Sequence, residues 1–110
     1  MKQAITIDEF ASAADKLEIK IGTITDVERI PKNKKMIKMV VNFGDDVNKT
    51  VISNIGGNME DVNQLKGLNF PFCINLFPAE RNGFISEAMI LADIKDGSFN
   101  FNLNTGYQIL

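Results

Sequence analysis

The sequence predicts an all-β domain with short helices, organised around a small closed barrel. Residues Leu17–Ile21 alternate apolar and charged side chains, which is the period of a strand with one buried face. Gly22 interrupts this alternation, and the apolar residues after it no longer share one parity, which indicates a bulge or a bend. A strand that bends at a glycine can take part in two sheets, as a strand of a small barrel must.

The first strand and its hairpin partner are predicted from the residues between them. The first strand should end near Ile30, because Pro31 cannot donate to a β ladder and Lys32–Lys35 is too polar for a core. The second strand is predicted over Met36–Phe43, whose odd-numbered residues are all apolar. The predicted hairpin therefore carries a basic turn.

A short helix is predicted over Ile7–Asp15, ahead of the barrel. Thr6 and Glu9 have the spacing of a capping box, in which each side chain accepts a hydrogen bond from a free backbone amide of the first turn. The apolar residues of this helix fall on one face, which we expect either the barrel or another subunit to cover.

The remaining elements complete a five-stranded barrel. We predict a third strand, a weak helix, a fourth strand with an inward set of apolar residues, a loop and a fifth strand. Their respective ranges are Lys49–Ile55, Met59–Leu65, Leu68–Leu76, Ala79–Gly83 and Ser86–Ala92. Pro71 should occupy an edge or an unpaired amide position. A helix between the third and fourth strands is typical of an OB-fold barrel, so by analogy residues 17–92 are expected to form one, within a single domain of residues 1–110.

The C-terminal residues 93–110 are predicted to form a β extension. Two further short strand candidates lie at Ser98–Leu103 and Tyr107–Leu110, beyond the five strands that the barrel needs. This extension should either seal a barrel edge or pair with a second copy of the chain, so we expect a dimerisation role.

The composition excludes several classes of function. The chain has no histidine and a single cysteine, which argues against a zinc site and against any catalytic triad with an imidazole base. Cys73 lies in an apolar run and is expected to be a buried thiol. Glu18 and Glu28 have no neighbour that would tune them for acid–base catalysis, so we predict no enzyme activity, no cofactor and no metal. The absence of a long apolar run and of a signal peptide predicts a cytoplasmic protein with no membrane contact.

A local cluster of positive charge stands out in a chain whose net charge is −2. The stretch Arg29–Lys38 contains five basic residues and no acidic one. Such a cluster on a hairpin can bind phosphates even when the whole molecule is acidic. A solvated turn is the alternative interpretation of the same pattern.

Several short motifs in one order resemble the free-standing tRNA-binding domain family, whose domain also occurs at the C-terminus of many methionyl-tRNA synthetases and in the export-related chaperone CsaA. The motifs are Ile5–Phe10, Glu18–Ile24, Glu28-x-x-Pro31, Lys35–Ile37, Val41–Gly44, Leu65-x-Gly67, Asn75-Leu76-x-Pro78, Gly83-x-x-Ser86 and Met89–Ala92. The chain departs from the family at Lys20, where arginine is usual, and at Ala79–Asn82, where the family often has more basic residues. The resemblance spans roughly residues 5–110.

The resemblance implies a homodimer that recognises tRNA by shape, with an aminoacyl-tRNA synthetase as a further candidate partner. It implies that Lys20, Lys34, Lys35, Lys38 and Arg81 contact phosphates and that Asn75 and Ser86 donate or accept hydrogen bonds. The alternative function is that of a peptide-binding chaperone for unfolded export clients. Its apolar surface would then be formed by Phe77, Phe84 and Met89.

Overall fold

The computed structural model describes Met1–Leu91 and shows a mostly β molecule with one α-helix. The predicted strands at 98–103 and 107–110, and the last residue of the predicted fifth strand, lie outside the described residues. The elements are α1 (Ile7–Asp15), β1 (Ile19–Arg29), β2 (Ile37–Asn42), β3 (Asn48–Ser53), β4 (Asn69–Cys73), β5 (Ala79–Arg81), β6 (Phe84–Ser86) and β7 (Met89–Ile90). Two 3₁₀ turns, Ile55–Asn58 and Val62–Leu65, lie between β3 and β4.

Five strands form one antiparallel sheet in the order β3-β2-β1-β4-β7, which curls into a nearly closed barrel. The strands β5 and β6 pair only with each other. This arrangement confirms the predicted OB-like barrel, in which the central strand β1 contacts two neighbours.

The bend of β1 is a β-bulge three residues after Gly22. The first half of β1 pairs with β4, the second half pairs with β2, and the register with β2 shifts between Ile24 and Asp26. A Cβ atom on Gly22 would lie 2.4 Å from Cγ1 of Val41, so only glycine lets the strands pack this closely. The predicted interruption at Gly22 is therefore confirmed, and its cause is close packing within the barrel.

The core lies inside the barrel and is apolar. The predicted inward residues of β2 are buried, as are Phe70 and Phe72 of β4. Phe43 packs edge to face on Phe72, with 5.4 Å between the ring centroids. Cys73 is buried, as predicted.

Side chains at the end of β6 and just after it cover the open edge of β3. Ile52 N donates to Ser86 Oγ at 3.0 Å, and Thr50 N donates to Glu87 Oε1 at 2.9 Å. The amide of Glu87 donates in turn to Thr50 O at 2.8 Å. These bonds satisfy backbone groups that an open edge would leave unpaired, and they nearly close the barrel.

The helix α1 has the predicted bounds and the predicted cap. Glu9 N donates to Thr6 Oγ1 at 3.0 Å, and Thr6 N donates to Glu9 Oε1 at 3.1 Å. None of the residues of α1 is buried, so its apolar face is left open.

The predicted burial of Leu17, Ile19 and Ile21 is wrong. Gly22 and Ile24 face the core, so the odd-numbered residues before the bulge point away from it, and all three are exposed. Leu76, predicted to face inward, lies beyond the end of β4 and is also exposed. In β1 the alternation is correct but the assignment of its buried face is not. In β4 the buried face is correct, and Leu76 is exposed because the strand ends at Cys73.

Several predicted elements have different forms. The weak helix predicted over Met59–Leu65 is reduced to the 3₁₀ turn Val62–Leu65, which starts where the Asp61 side chain accepts from Asn63 N. The predicted loop Ala79–Gly83 contains β5. Within the predicted fifth strand, Ser86–Ala92, only β7 forms in full, because β6 begins earlier, at Phe84, and ends at Ser86. Pro71 lies between β1 and β7 and not at an edge, and its carbonyl accepts from Leu91 N at 2.9 Å.

Candidate nucleic-acid interface

The loop between β1 and β2 holds Lys34 and Lys35 in the solvent. The amides of Lys35 and Met36 donate to Asn33 Oδ1 at 3.0 and 3.1 Å, which gives the loop a defined shape. Both lysines are exposed, and neither ammonium group forms an ion pair or a hydrogen bond with another described residue. Two positive charges therefore remain available to an anionic ligand.

Arg29 belongs to the same basic stretch but has a different role. Its guanidinium donates to three backbone carbonyls, those of Lys34 at 2.8 Å, Gly56 at 2.9 Å and Met59. It therefore joins the β1–β2 loop to the 3₁₀ turn Ile55–Asn58, called the Gly56 turn below. No sequence pattern indicated this role, because a carbonyl acceptor can come from any residue.

Lys38 lies on the outer face of β2, where it meets a carboxylate and an aromatic ring. Its Nζ is 3.9 Å from Glu28 Oε1, in the opposite position on β1, and 4.9 Å from the centroid of the Phe84 ring. The side chain of Lys38 is 31% exposed. The ring and the carboxylate fix its position and offset part of its charge, so it is less free than Lys34 and Lys35.

The hairpin β5–β6 brings Arg81 to the same side of the barrel. Arg81 lies opposite Phe84 in the hairpin register, and directly opposed residues of an antiparallel pair share a face. Because the Phe84 ring contacts Lys38, this face of the hairpin lies against the outer surface of β2. The guanidinium of Arg81 is exposed and forms no bond to another described residue. Lys34 and Lys35 lie in the loop that leads into β2, and Arg81 lies opposite Phe84, which contacts Lys38. These four residues, Lys34, Lys35, Lys38 and Arg81, are together called the basic surface below.

The other predicted contacts lie elsewhere or have other partners. Lys20 is near the opposite end of β1 and pairs with Glu18 at 3.6 Å. Asn75 Oδ1 accepts from Glu18 N at 2.8 Å, and Asn75 Nδ2 donates to Lys16 O at 2.6 Å, so this amide anchors the segment before β1. The Ser86 hydroxyl accepts from Ile52 N and donates to Ala88 O, and so serves the closure of the barrel.

The residues predicted for peptide binding differ in exposure and in their place in the fold. Phe77 is 97% exposed in the segment before β5, whereas Phe84 is half-buried beside Lys38. Met89 is in register with Cys73 and therefore lies in the same part of the sheet as Ile19. Among the residues that the structure describes, no group of acidic or cysteine side chains could hold a metal, and no helix is long and apolar enough to cross a membrane.

Comparisons with known proteins agree on one family. Residues 19–105 match the family described as "Putative tRNA binding domain". The chain is 34% identical over 102 residues to the methionine–tRNA ligase of Cytophaga hutchinsonii and 37% identical over 98 residues to that of Archaeoglobus fulgidus. These matches cover 92% and 87% of the chain but only 14% of each enzyme, so the chain spans about one-seventh of the length of these relatives.

Solved structures of similar fold include two proteins of about the same size. The methionyl-tRNA-synthetase-related protein of Pyrococcus horikoshii superposes with a TM-score of 0.71 at 28% identity, over 98% of this chain and 95% of that one. The CsaA chaperone of Picrophilus torridus superposes with a TM-score of 0.69 at 23% identity, over 96% and 94%. The match to the CsaA chaperone shows only that the two folds are similar.

Proposed function

Because the chain belongs to the tRNA-binding domain family, we propose that it is a non-catalytic homodimeric module that binds structured tRNA through backbone phosphates. The observation that carries this proposal is the basic surface, in which Lys34, Lys35 and Arg81 keep unpaired charges although the chain is acidic as a whole. Such a surface attracts phosphates locally while the net charge of −2 limits binding elsewhere.

Recognition by shape fits this surface better than reading of bases. Phe43 and Phe72 pack on each other in the core region, and Phe84 is half-buried under Lys38. Single-strand binders stack successive bases on exposed aromatic rings, and the basic surface offers no such series. Lysine and arginine side chains on a rigid hairpin suit the phosphates of a folded RNA.

The test is binding of total tRNA, followed by fluorescence anisotropy over a range of salt concentrations. The double variant Lys34→Glu/Lys35→Glu should weaken binding at low salt by more than tenfold. Replacing both lysines by alanine should flatten the slope of log K against log salt by up to about 0.9 for each phosphate that is no longer neutralised. The matched control is Lys2→Glu/Lys16→Glu, which lowers the net charge equally but lies outside the basic surface.

Two results would contradict the proposal. The first is no detectable tRNA binding by the unaltered chain at low salt. The second is an equal loss of affinity in the control variant, since net charge alone would then explain the effect.

The proposed homodimer would cover the apolar surface that one chain leaves open. Ile19 and Met89 are respectively 49% and 51% exposed, and both lie opposite Cys73 of β4, on its two sides. Ile21 and the apolar residues of α1 are exposed as well, and we propose that the interface includes them. Apolar area of this kind is typical of an interface between identical subunits.

The cellular setting follows from the proposed ligand. We place the dimer in the cytoplasm, where tRNA is used, and propose an aminoacyl-tRNA synthetase as a further partner, because the domain is part of such enzymes in the matched relatives. A pull-down of the synthetase with the unaltered chain, repeated after ribonuclease treatment, separates direct contact from bridging by tRNA.

A chaperone-like function is the second candidate, and the exposure of Phe77 favours it. An aromatic ring that is 97% exposed is a candidate contact for apolar peptide segments. Under this alternative, the chain should suppress aggregation of a denatured client, and Phe77→Ser should lose that effect while Lys34→Glu/Lys35→Glu keeps it. No suppression by the unaltered chain would contradict the alternative.

A further inference from the structure

We propose that Arg29 is a positioning residue that fixes Lys34 and Lys35 in the arrangement in which they meet phosphates. It does so by holding the β1–β2 loop against the Gly56 turn. The inference rests on the proposed tRNA binding and adds a residue that itself contacts no phosphate.

The guanidinium of Arg29 joins two segments that are distant in sequence. Nη1 donates to Lys34 O at 2.8 Å and to Gly56 O at 2.9 Å, and Nη2 donates to Met59 O. Arg29 is half-buried, and charge-assisted bonds of this kind are stronger than bonds between neutral groups. One side chain thus fixes the backbone of a proposed phosphate-binding lysine to the neighbouring turn.

A second set of contacts joins the same two segments. Gly56 N donates to Lys35 O at 2.9 Å, so the turn also holds the backbone of the second lysine. A Cβ atom on Gly56 would lie 2.6 Å from Cγ2 of the buried Ile37 and 3.0 Å from Lys35 O. Only glycine permits this approach, and any side chain at residue 56 would push the turn away from the loop.

The Gly56 turn also restricts the conformations of the aliphatic part of the Lys35 side chain. A Cβ atom on Gly57 would be 3.2 Å from Lys35 Cγ, so the turn lies against this side chain. Ordering flexible side chains and loops on binding costs free energy, and a loop that is held beforehand avoids part of that cost. The contacts of Arg29 and Gly56 therefore hold the Lys34 and Lys35 part of the basic surface in place before a ligand binds.

The decisive variant is Arg29→Lys, which keeps the charge and loses the planar fork that reaches several acceptors. We expect tRNA affinity to fall about five- to tenfold, within the range of coupling seen between residues in contact. The slope of log K against log salt should stay unchanged, because the same number of phosphates is neutralised. Gly56→Ala, which keeps Arg29, should give the same fall in affinity with the same slope.

A double-mutant cycle separates positioning from a merely structural role. Arg29→Lys is combined with Lys34→Ala/Lys35→Ala, and all variants are compared at a temperature where each is folded by denaturant titration. If Arg29 positions the lysines, their removal should cost less in the Arg29→Lys background than in the unaltered chain. The control cycle pairs Arg29→Lys with Arg81→Ala, which lies on the β5–β6 hairpin, and should be additive.

The outcomes distinguish this inference from the function on which it rests. Absence of tRNA binding by the unaltered chain overturns both. Binding that is unchanged in Arg29→Lys and in Gly56→Ala overturns the inference alone, as does an additive cycle with the two lysines. Faster hydrogen exchange of the Gly56 amide in Arg29→Lys would support it without reference to RNA, since this amide donates to Lys35 O.

Discussion

At the residue scale, several polar side chains that could contact a ligand instead form hydrogen bonds with the backbone. Asn75 and Ser86 have the chemistry of RNA contacts, yet each bonds to main-chain groups of distant segments. Arg29 does the same with three carbonyls. The side chains that remain unpaired on the basic surface, Lys34, Lys35 and Arg81, are therefore the better candidates for ligand contact.

Replacement of Asn75 by alanine should lower the stability of the fold. Asn75 bonds to the backbone of Lys16 and Glu18 and so ties the end of α1 and the start of β1 to the chain after β4. Its removal should reduce the free energy of unfolding by about 1 kcal/mol, the net value of a typical hydrogen bond, as measured by urea titration. The control is Asn54→Ala, since Asn54 is exposed and its side chain makes no cap bond. Equal effects of the two changes would contradict the anchoring role.

At the scale of elements, the turn of the β5–β6 hairpin has the conformation that its two residues favour. Asn82 and Gly83 have φ values of 52° and 86°, as a two-residue turn with two left-handed residues requires. The Asn-Gly pair is a strong signal for such a turn, yet only a loop is predicted here. The flanking strands are three residues long, which is too short for a clear alternation of side chains. The hairpin matters for the proposed function because it packs Phe84 against Lys38 and carries Arg81 opposite Phe84.

The hairpin should weaken when its turn can no longer adopt left-handed backbone. Gly83→Ala forces a Cβ into a φ of 86° and should cost about 1 kcal/mol. We expect faster exchange of the hairpin amides and, if Arg81 contacts phosphate, a smaller decrease in tRNA affinity than Arg81→Ala gives. Asn82→Gly keeps the turn conformation and is the control. Identical exchange in all three proteins would show that the turn does not hold the hairpin.

At the scale of the whole molecule, the described part of the chain leaves apolar side chains of β1 and β7 exposed. Ile21 is 61% exposed on the outer face of β1, on the same face as Ile19. Ile21→Asp should leave the monomer folded and convert the proposed dimer to monomer in sedimentation velocity experiments, because it places a charge in a desolvated contact. Val47→Asp, at an exposed apolar residue of the β2–β3 turn, is the control and should remain dimeric.

Deletion of residues 93–110 tests the predicted role of the extension in the same experiment. Monomers or aggregates are the expected result, since the extension should contribute to the interface. A dimer that survives the deletion would refute the role of the extension, and a monomeric unaltered chain would refute the homodimer itself.

Sequence alone determined the barrel because its signals are local. Alternation in β2, the glycine at the bend of β1 and the capping box of α1 each act within a few residues, and the structure confirms all three. The basic turn was equally visible as a run of charge. Where the prediction is wrong, as for Leu17, Ile19 and Ile21, the alternation was right but parity cannot say which side faces the core.

Only the tertiary structure decided which charged side chains lack a partner and which distant residues are in contact. Lys38 lies beside Phe84 because the hairpin returns to β2 from about forty residues further along the chain. Arg29 reaches Gly56 and Met59 because closure of the barrel brings the end of β1 to the turn after β3. These contacts depend on the packing of distant segments, and no local pattern of residues encodes them.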